Sequence, residues 1–337
     1  MDIVNLSHVA NKMVEDNKGL LAADESTGTI GKRLSSIGVE STEEYRRDYR
    51  EMLFKADGLA EYISGVILFD ETIRQKSHDG QALTKILSDE GIIPGIKVDT
   101  GAKPLAGHGE EKVTEGLDGL VDRVEEYVLI GAKFAKWRAV ITIGNSMPTS
   151  YCIKANAHAL ARYARICQEG GLVPIVEPEV LMDGKHSIGQ CEDVTKLTLK
   201  VVFNELFDHG VDSTGIILKP NMVISGKNCQ EQAGVKEVAD RTIAVLLDCV
   251  PATVPGVMFL SGGQSEIDAT KHLNEMNKRK NDLPWSLSYS YGRALQESAL
   301  KVWSGDNNNN SKAQERLLVR ARHNSFACAA KYDGEVA

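Results

Sequence analysis

The chain has 337 residues, 39 basic and 47 acidic side chains, a formal net charge of −8, and apolar and charged shares of 42 % and 26 %. That balance describes an ordinary globular protein and argues against a general nucleic-acid binder. No apolar run approaches the ~18 residues that span a membrane, no signal peptide is visible at the start, and six scattered cysteines without a Cys-x-x-Cys pair suggest reduced thiols in a cytoplasmic protein.

An amphipathic helix is expected over Ser7 to Asn17, with Ala10, Met13 and Val14 on one side and Gly19 ending it. A short apolar strand, Leu20 to Asp24, then opens into a polar loop punctuated by Gly28. Ser41 to Glu44 reads as a capping box. The helix behind it carries Tyr45, Tyr49, Met52, Leu53 and Ala56 at helical spacing. From there a unit repeats. Further strand-like runs occupy Gly65 to Asp70, Ile93 to Asp99, Ala132 to Val140, Leu172 to Glu179, Thr214 to Asn221, Gly256 to Gly263 and Ser286 to Gly292. The eight starts lie 28 to 45 residues apart, and most intervals hold a helical stripe such as Leu117, Leu120, Val121, Val124 and Val128. Alternating strand and helix implies a parallel sheet, and eight copies imply a closed (β/α)8 TIM barrel of the α/β class. A doubly wound open sheet is the alternative, but no Gly-x-Gly-x-x-Gly follows the first strand. Gly305 to Asn310 reads as an exposed loop between a helix over Arg293 to Trp303 and a final helix over Ser311 to Lys331. Residues 1–337 are therefore expected to form one domain, with an N-terminal helix and with 304–337 as a helical extension.

Barrel enzymes place their chemistry at the C-terminal ends of the strands. Asp24 ends the first, Lys97 and Asp99 share a face of the third, Lys136 and Arg138 of the fourth, and Glu177 and Glu179 of the fifth. Lys219 ends the sixth, and Pro220 stops that run. Any one of these could be a solvated strand end. Charges at the same end of strand after strand resist that reading, because same-face charges inside a barrel must be desolvated or paired. An ordinary lysine is a free amine in only about one molecule in 2,500 at pH 7. At an apolar rim beside Lys136, the free amine of Lys219 is favoured by desolvation and like-charge repulsion, and can attack a carbonyl to form a Schiff base. Counting Lys97, Lys136, Arg138, Lys219 and Arg293 against Asp24, Glu177 and Glu179 leaves a local positive excess that suits a phosphorylated substrate. The paired glutamates offer a general acid and base. Ser261-Gly262-Gly263 and Tyr291-Gly292-Arg293 follow strands seven and eight, where this fold most often binds phosphate. The eight histidines show no metal-ligand spacing, and nothing in the sequence calls for a metal.

Seven segments together resemble class I (Schiff-base) fructose-bisphosphate aldolase. They are Leu-Ala-Ala-Asp-Glu-Ser-Thr-Gly (21–28), Gly-Ile-Lys-Val-Asp (95–99), Phe-Ala-Lys-Trp-Arg (134–138), Val-Pro-Ile-Val-Glu-Pro-Glu (173–179), Leu-Lys-Pro-Asn-Met-Val (218–223), Phe-Leu-Ser-Gly-Gly-Gln-Ser-Glu (259–266) and Ser-Tyr-Gly-Arg-Ala-Leu-Gln (290–296). The resemblance implies reversible cleavage of fructose 1,6-bisphosphate to dihydroxyacetone phosphate and glyceraldehyde 3-phosphate, with no cofactor and no metal. It implies that Lys219 forms the iminium, that Glu177 shuttles protons beside Glu179, and that Asp24 and Lys136 orient hydroxyls and assist proton transfer. It further implies that Ser261, Gly262, Gly263, Ser290, Gly292 and Arg293 hold the phosphate next to the ketone, that Ser26, Thr29, Arg33 and Lys97 meet the far one, and that the protein is a homo-oligomer, usually a tetramer. Arg138 belongs with the substrate-binding residues. The family's longer tail ends in a tyrosine; Tyr332 does not match that position and is not assigned its role. The rival readings are another Schiff-base barrel enzyme, such as a transaldolase or keto-acid aldolase, and a non-catalytic scaffold on the same fold. Basic residues on both sides of the site, Arg33 and Lys97 opposite Arg293, favour a bisphosphate over the first. The presence of Lys219, Glu177 and Lys136 together disfavours the second.

Overall fold

Eight apolar strands close on themselves in a computed structural model that describes residues 2–334. In chain order the strands are β1 (Gly19–Ala23), β2 (Ile63–Leu68), β3 (Ile93–Lys97), β4 (Gly101–Pro104), β5 (Lys112–Glu115), β6 (Phe134–Ile141), β7 (Val173–Val180), β8 (Ile217–Leu218), β9 (Gly256–Phe259) and β10 (Ser286–Tyr291). The barrel order is β1-β10-β9-β8-β7-β6-β3-β2, every pairing parallel, while β4 and β5 form a separate antiparallel hairpin. The (β/α)8 barrel expected from the sequence is the fold observed. The hairpin was not foreseen; it is short and mostly exposed, so it carries little apolar signal.

Helices α1 (Ile3–Met13), α2 (Thr27–Ser35), α3 (Glu43–Phe54), α4 (Asp70–Arg74), α5 (Leu83–Asp89) and α6 (Leu120–Leu129) accompany the first half of the chain. The second half adds α7 (Ser150–Glu169), α8 (Ile188–Asp208), α9 (Val235–Cys249), α10 (Glu266–Asn277), α11 (Arg293–Trp303) and α12 (Asn310–Cys328). Their apolar stripes pack on the outward residues of the strands, among them Leu21, Val66, Ile96, Trp137, Val176, Leu218 and Phe259. The inward residues make a second core: Leu20, Ile67, Phe134, Val173, Ile175, Ile217 and Met258 fill the barrel, and Leu6, Ala10, Met13 and Val14 of the α1 segment close its floor. Burying this many large apolar side chains, each worth roughly 1.5–3 kcal/mol, is what drives closure. The filling is tight. A Cβ on Gly95 would lie 2.2 Å from the Phe134 ring, so the barrel accommodates that phenylalanine only by omitting a side chain opposite it.

Several boundaries differ from expectation for local reasons. The first helix starts and stops a turn early, because the Asp2 side chain caps it by accepting from the Asn5 N–H at 3.1 Å, and Asp16 and Asn17 turn left-handed beyond it. The expected capping box at Ser41 shifts by one: Thr42 is the N-cap and accepts from the Tyr45 N–H at 3.1 Å. The run from Thr214 shrinks to the two residues of β8, since Asp212 draws Ser213–Gly215 into a 3₁₀ turn by accepting from the Thr214 N–H. The expected Asn-rich loop is half structured, a 3₁₀ turn at Asn307–Asn309 leading straight into α12. That last helix ends at Cys328, ahead of Ala330 with φ +58°.

Candidate active site

Strand periodicity assembles the site. Along β1 the inward residues read Leu20, Ala22, then Asp24; along β6, Phe134, Lys136, Arg138; along β7, Val173, Ile175, Glu177, Glu179; and along β8, Ile217, Lys219. Each strand thus continues one inward face from apolar residues at the floor to ionisable residues at its C-terminal end. These ends line a cleft of about 1030 Å³ that contains all sixteen residues singled out from the sequence.

At its base, Lys219 is 4 % exposed and Glu177 3 %. Glu177 bridges two amines: its Oε1 lies 3.3 Å from Lys219 Nζ and its Oε2 3.5 Å from Lys136 Nζ. The second contact is charge attraction rather than a hydrogen bond, and that carboxylate oxygen has no hydrogen-bond partner. Lys136 is held instead by Asp24 Oδ2 at 2.7 Å. Burial alone would raise the Asp24 pKa, but the positive charges of Lys136, Lys219 and Lys97 outweigh it and hold the group at about 2. Burial likewise works against the Lys136 ammonium; Asp24, Glu177 and Asp99 overcome it and push its pKa above the usual lysine range. Asp24 and Lys136 are therefore a fixed ion pair at neutral pH. At the rim, Arg138 pairs with Glu179. Lys97 Nζ lies 2.8 Å from the Asp99 carboxylate, which also accepts from the Gly101 N–H at 3.1 Å.

Two ends of the cleft offer donors to anions. On one side Ser26 caps α2, its Oγ 3.1 Å from Thr29 Oγ1, so the α2 N-terminus faces the cleft beside Arg33. On the other, the Ser261–Gly263 turn follows β9, with Gly262 and Gly263 at φ +58° and +91°, conformations that favour glycine. Gly292 and Arg293 open α11 beside it, and a Cβ on Gly263 would lie 3.1 Å from the Arg293 guanidinium. The Ser290 hydroxyl is buried here without a partner. Nine basic and eight acidic side chains line the whole cleft, so the positive excess read from the strand ends is thinner than expected, because the flanking loops add carboxylates. What distinguishes the two ends is pairing: among the described residues, Arg293 enters no ion pair, whereas Arg33 is paired with Glu25.

Sequence reasoning missed the support beneath Arg33. Glu25 accepts from Arg33 and, at 3.2 Å, from Gln296; the wholly buried Arg50 donates to the Glu25 carbonyl at 2.8 Å. The adjacency of Glu25 to Asp24 was a usable signal, but Arg50 and Gln296 lie on α3 and α11 and only the fold brings them in. Behind the other end, His272 holds the Gln264 side chain at 2.6 Å, and Gln264 donates to the Ser261 carbonyl at 3.0 Å.

Residues 5–337 match the family described as fructose-bisphosphate aldolase class-I. The chain is 57 % identical over 335 residues to a probable fructose-bisphosphate aldolase class 1 of Xanthomonas campestris pv. campestris, covering 99 % of this chain and 100 % of that protein. It is 54 % identical over 318 residues to the cytosolic fructose-bisphosphate aldolase 6 of Arabidopsis thaliana, covering 94 % and 88 %. A solved structure of fructose-bisphosphate aldolase from Plasmodium falciparum, in complex with TRAP and a small-molecule inhibitor, shares the fold at a TM-score of 0.97 and 49 % identity, covering 99 % and 96 %.

Proposed function

Given that the chain belongs to the class I fructose-bisphosphate aldolase family, we propose that Lys219 is the nucleophile and Glu177 the proton carrier of the cleavage. The reaction itself is that of the family: a lyase that splits fructose 1,6-bisphosphate reversibly into dihydroxyacetone phosphate and glyceraldehyde 3-phosphate, a step of glycolysis. The observation that carries the residue assignment is Glu177 set between Lys219 and Lys136 at 3.3 and 3.5 Å.

In the proposed sequence the free amine of Lys219 attacks the C2 carbonyl of the ketose, and Glu177 protonates the resulting hydroxyl so that water leaves and an iminium forms. The C4 hydroxyl then loses its proton to a carboxylate, the C3–C4 bond breaks to release the aldehyde, and the electron pair enters the iminium as an enamine. Reprotonation of the enamine and hydrolysis of the iminium return the amine. Asp24, ionised well below neutral pH, and its partner Lys136 orient the hydroxyls. Ser261, Gly262, Gly263, Ser290, Gly292 and Arg293 take the phosphate near C2. Ser26, Thr29, Arg33 and Lys97 take the far one, and the Arg138–Glu179 pair shapes the rim between them. Two donor ends on one cleft support a bisphosphate over substrates with a single phosphate.

The test is reductive trapping. Incubation with dihydroxyacetone phosphate and borohydride, followed by peptide mapping, is expected to place the adduct on Lys219, and Lys219→Ala is expected to lose cleavage while keeping its fold. An adduct on Lys136 with Lys219 unmodified would overturn the assignment.

We further propose a cytosolic homo-oligomer, tetrameric as the family resemblance implies. All six cysteines are free, and large apolar side chains such as Leu129 and Phe207 stand more than four-fifths exposed on the outer helices, which supports a face covered by another copy. Light scattering of the purified chain decides the state. No helix among the described residues is long and apolar enough to cross a membrane.

A further inference from the structure

On the outside of the barrel, away from the cleft, α7 and α8 pack side by side and bring His158, Glu205 and His209 together. One donor atom from each lies within 4.8 Å of the others. His158 Nδ1 is 3.2 Å from Glu205 Oε2, and His209 Nδ1 is 3.7 Å from the same oxygen. The two imidazoles meet edge to face, with centroids 4.9 Å apart. We propose that these three side chains form a binding site for a divalent transition-metal ion of the zinc class.

The donor set suits that ion. Two imidazoles and a carboxylate are borderline ligands that prefer zinc, cobalt or nickel to calcium or magnesium. Bond lengths of about 2.0–2.2 Å place tetrahedral donors roughly 3.3 Å apart, close to the spacing already present between His158 and Glu205. His209 Nδ1 lies 2.8 Å from the Glu205 carbonyl oxygen, so this nitrogen donates its hydrogen to the backbone; its 3.7 Å approach to Glu205 Oε2 is that of a donor, and Nε2 is the nitrogen left to bind the ion. Arg165, on the same helix as His158, is engaged by Glu169 and the Gly210 carbonyl rather than by Glu205. Three protein ligands leave a coordination position for water. Sequence spacing hides the site: Glu205 and His209 lie one turn apart, in the last turn of α8 and at its C-cap, but His158 sits 47 residues before Glu205, and only the packing of the helices joins them.

The position assigns the ion a role. α8 begins just after the C-terminal end of β7, at the mouth of the barrel, and its last turn, with Glu205, lies at the opposite end. None of the three residues lines the catalytic cleft. An ion here pins α7 to α8 and stabilises the fold by mass action, without taking part in the proposed chemistry.

The experiment uses the full chain stripped with EDTA, dialysed against zinc and, separately, cobalt(II), alongside His158→Ala, His209→Ala and the near-isosteric Glu205→Gln. The expected result is an uptake of one ion per chain, weakened at least about tenfold in each variant. Zinc should raise the melting temperature of the wild type but not of the variants, with cleavage the same in stripped and loaded wild type. The cobalt(II) spectrum should show d–d bands without thiolate charge transfer, which separates this site from one built on Cys229 or Cys249. Uptake unchanged in all three variants, thiolate charge transfer that survives in the variants, or no stoichiometric uptake by folded wild type would each overturn the proposal.

Discussion

The base of the cleft depends on single atoms. Among the described residues Glu177 is the one carboxylate within 4 Å of both buried amines, so Glu177→Gln keeps the shape and removes the proposed proton carrier. The expected effect is a fall in kcat of about 10²–10⁴-fold with little change in melting temperature, measured by steady-state kinetics and thermal unfolding. A loss of activity that tracks unfolding instead would make Glu177 structural. Asp24 makes a separate prediction about pH. Its pKa is held at about 2, below the unfolded carboxylate value of about 3.9, so its pairing with Lys136 contributes stability that is complete above pH ~4 and is lost as pH falls toward 2. The contribution is roughly 2–3 kcal/mol by that shift. The gap in urea midpoint between wild type and Asp24→Asn should therefore narrow across that window. A gap constant from pH 5 to 2 would mean that the ion pair does not set the shift.

Among the elements, β3 shows how closely strands and chemistry are linked. Gly95 makes room for the Phe134 ring, and the same strand ends in Lys97. Gly95→Ala is expected to overpack the barrel and to destabilise it by about 1–3 kcal/mol, read from chemical denaturation at unchanged slope. The activity of the folded fraction should also fall, because β3 must move away from β6 and takes Lys97 with it. The strand ends were legible in the sequence because period-two alternation carries the apolar-to-ionisable order on its own: Ile175, Glu177 and Glu179 could be placed on one face without a structure. Element edges were not legible, because single side chains set them. Asp2, Thr42 and Asp212 each moved a boundary through one hydrogen bond. Arg50 and Gln296 escaped notice for a third reason, since their partner Glu25 is reached only through tertiary packing.

At the scale of the whole molecule, the helices that follow the barrel share its core. Trp303, Leu317 and Ala321 belong to the same apolar cluster as Val66 and Trp137, and Tyr289 donates to the Ala321 carbonyl at 3.3 Å. This supports treating residues 304–334 as part of one domain. Unfolding followed by tryptophan fluorescence and by far-ultraviolet dichroism should then coincide, since Trp137 and Trp285 report on the barrel and Trp303, hydrogen-bonded to Asn307 and Asn309, on its junction with the helical extension. Two separated transitions would divide the chain. The floor closed by Leu6, Ala10, Met13 and Val14 has a last consequence. With that floor filled, the cleft is lined by the C-terminal ends of the strands; in the proposed sequence two fragments stand in it after cleavage, one still tethered to Lys219. The untethered aldehyde must go out first and, in the reverse direction, come in last. The proposed tether, set above a closed floor, imposes a queue on the catalytic cycle.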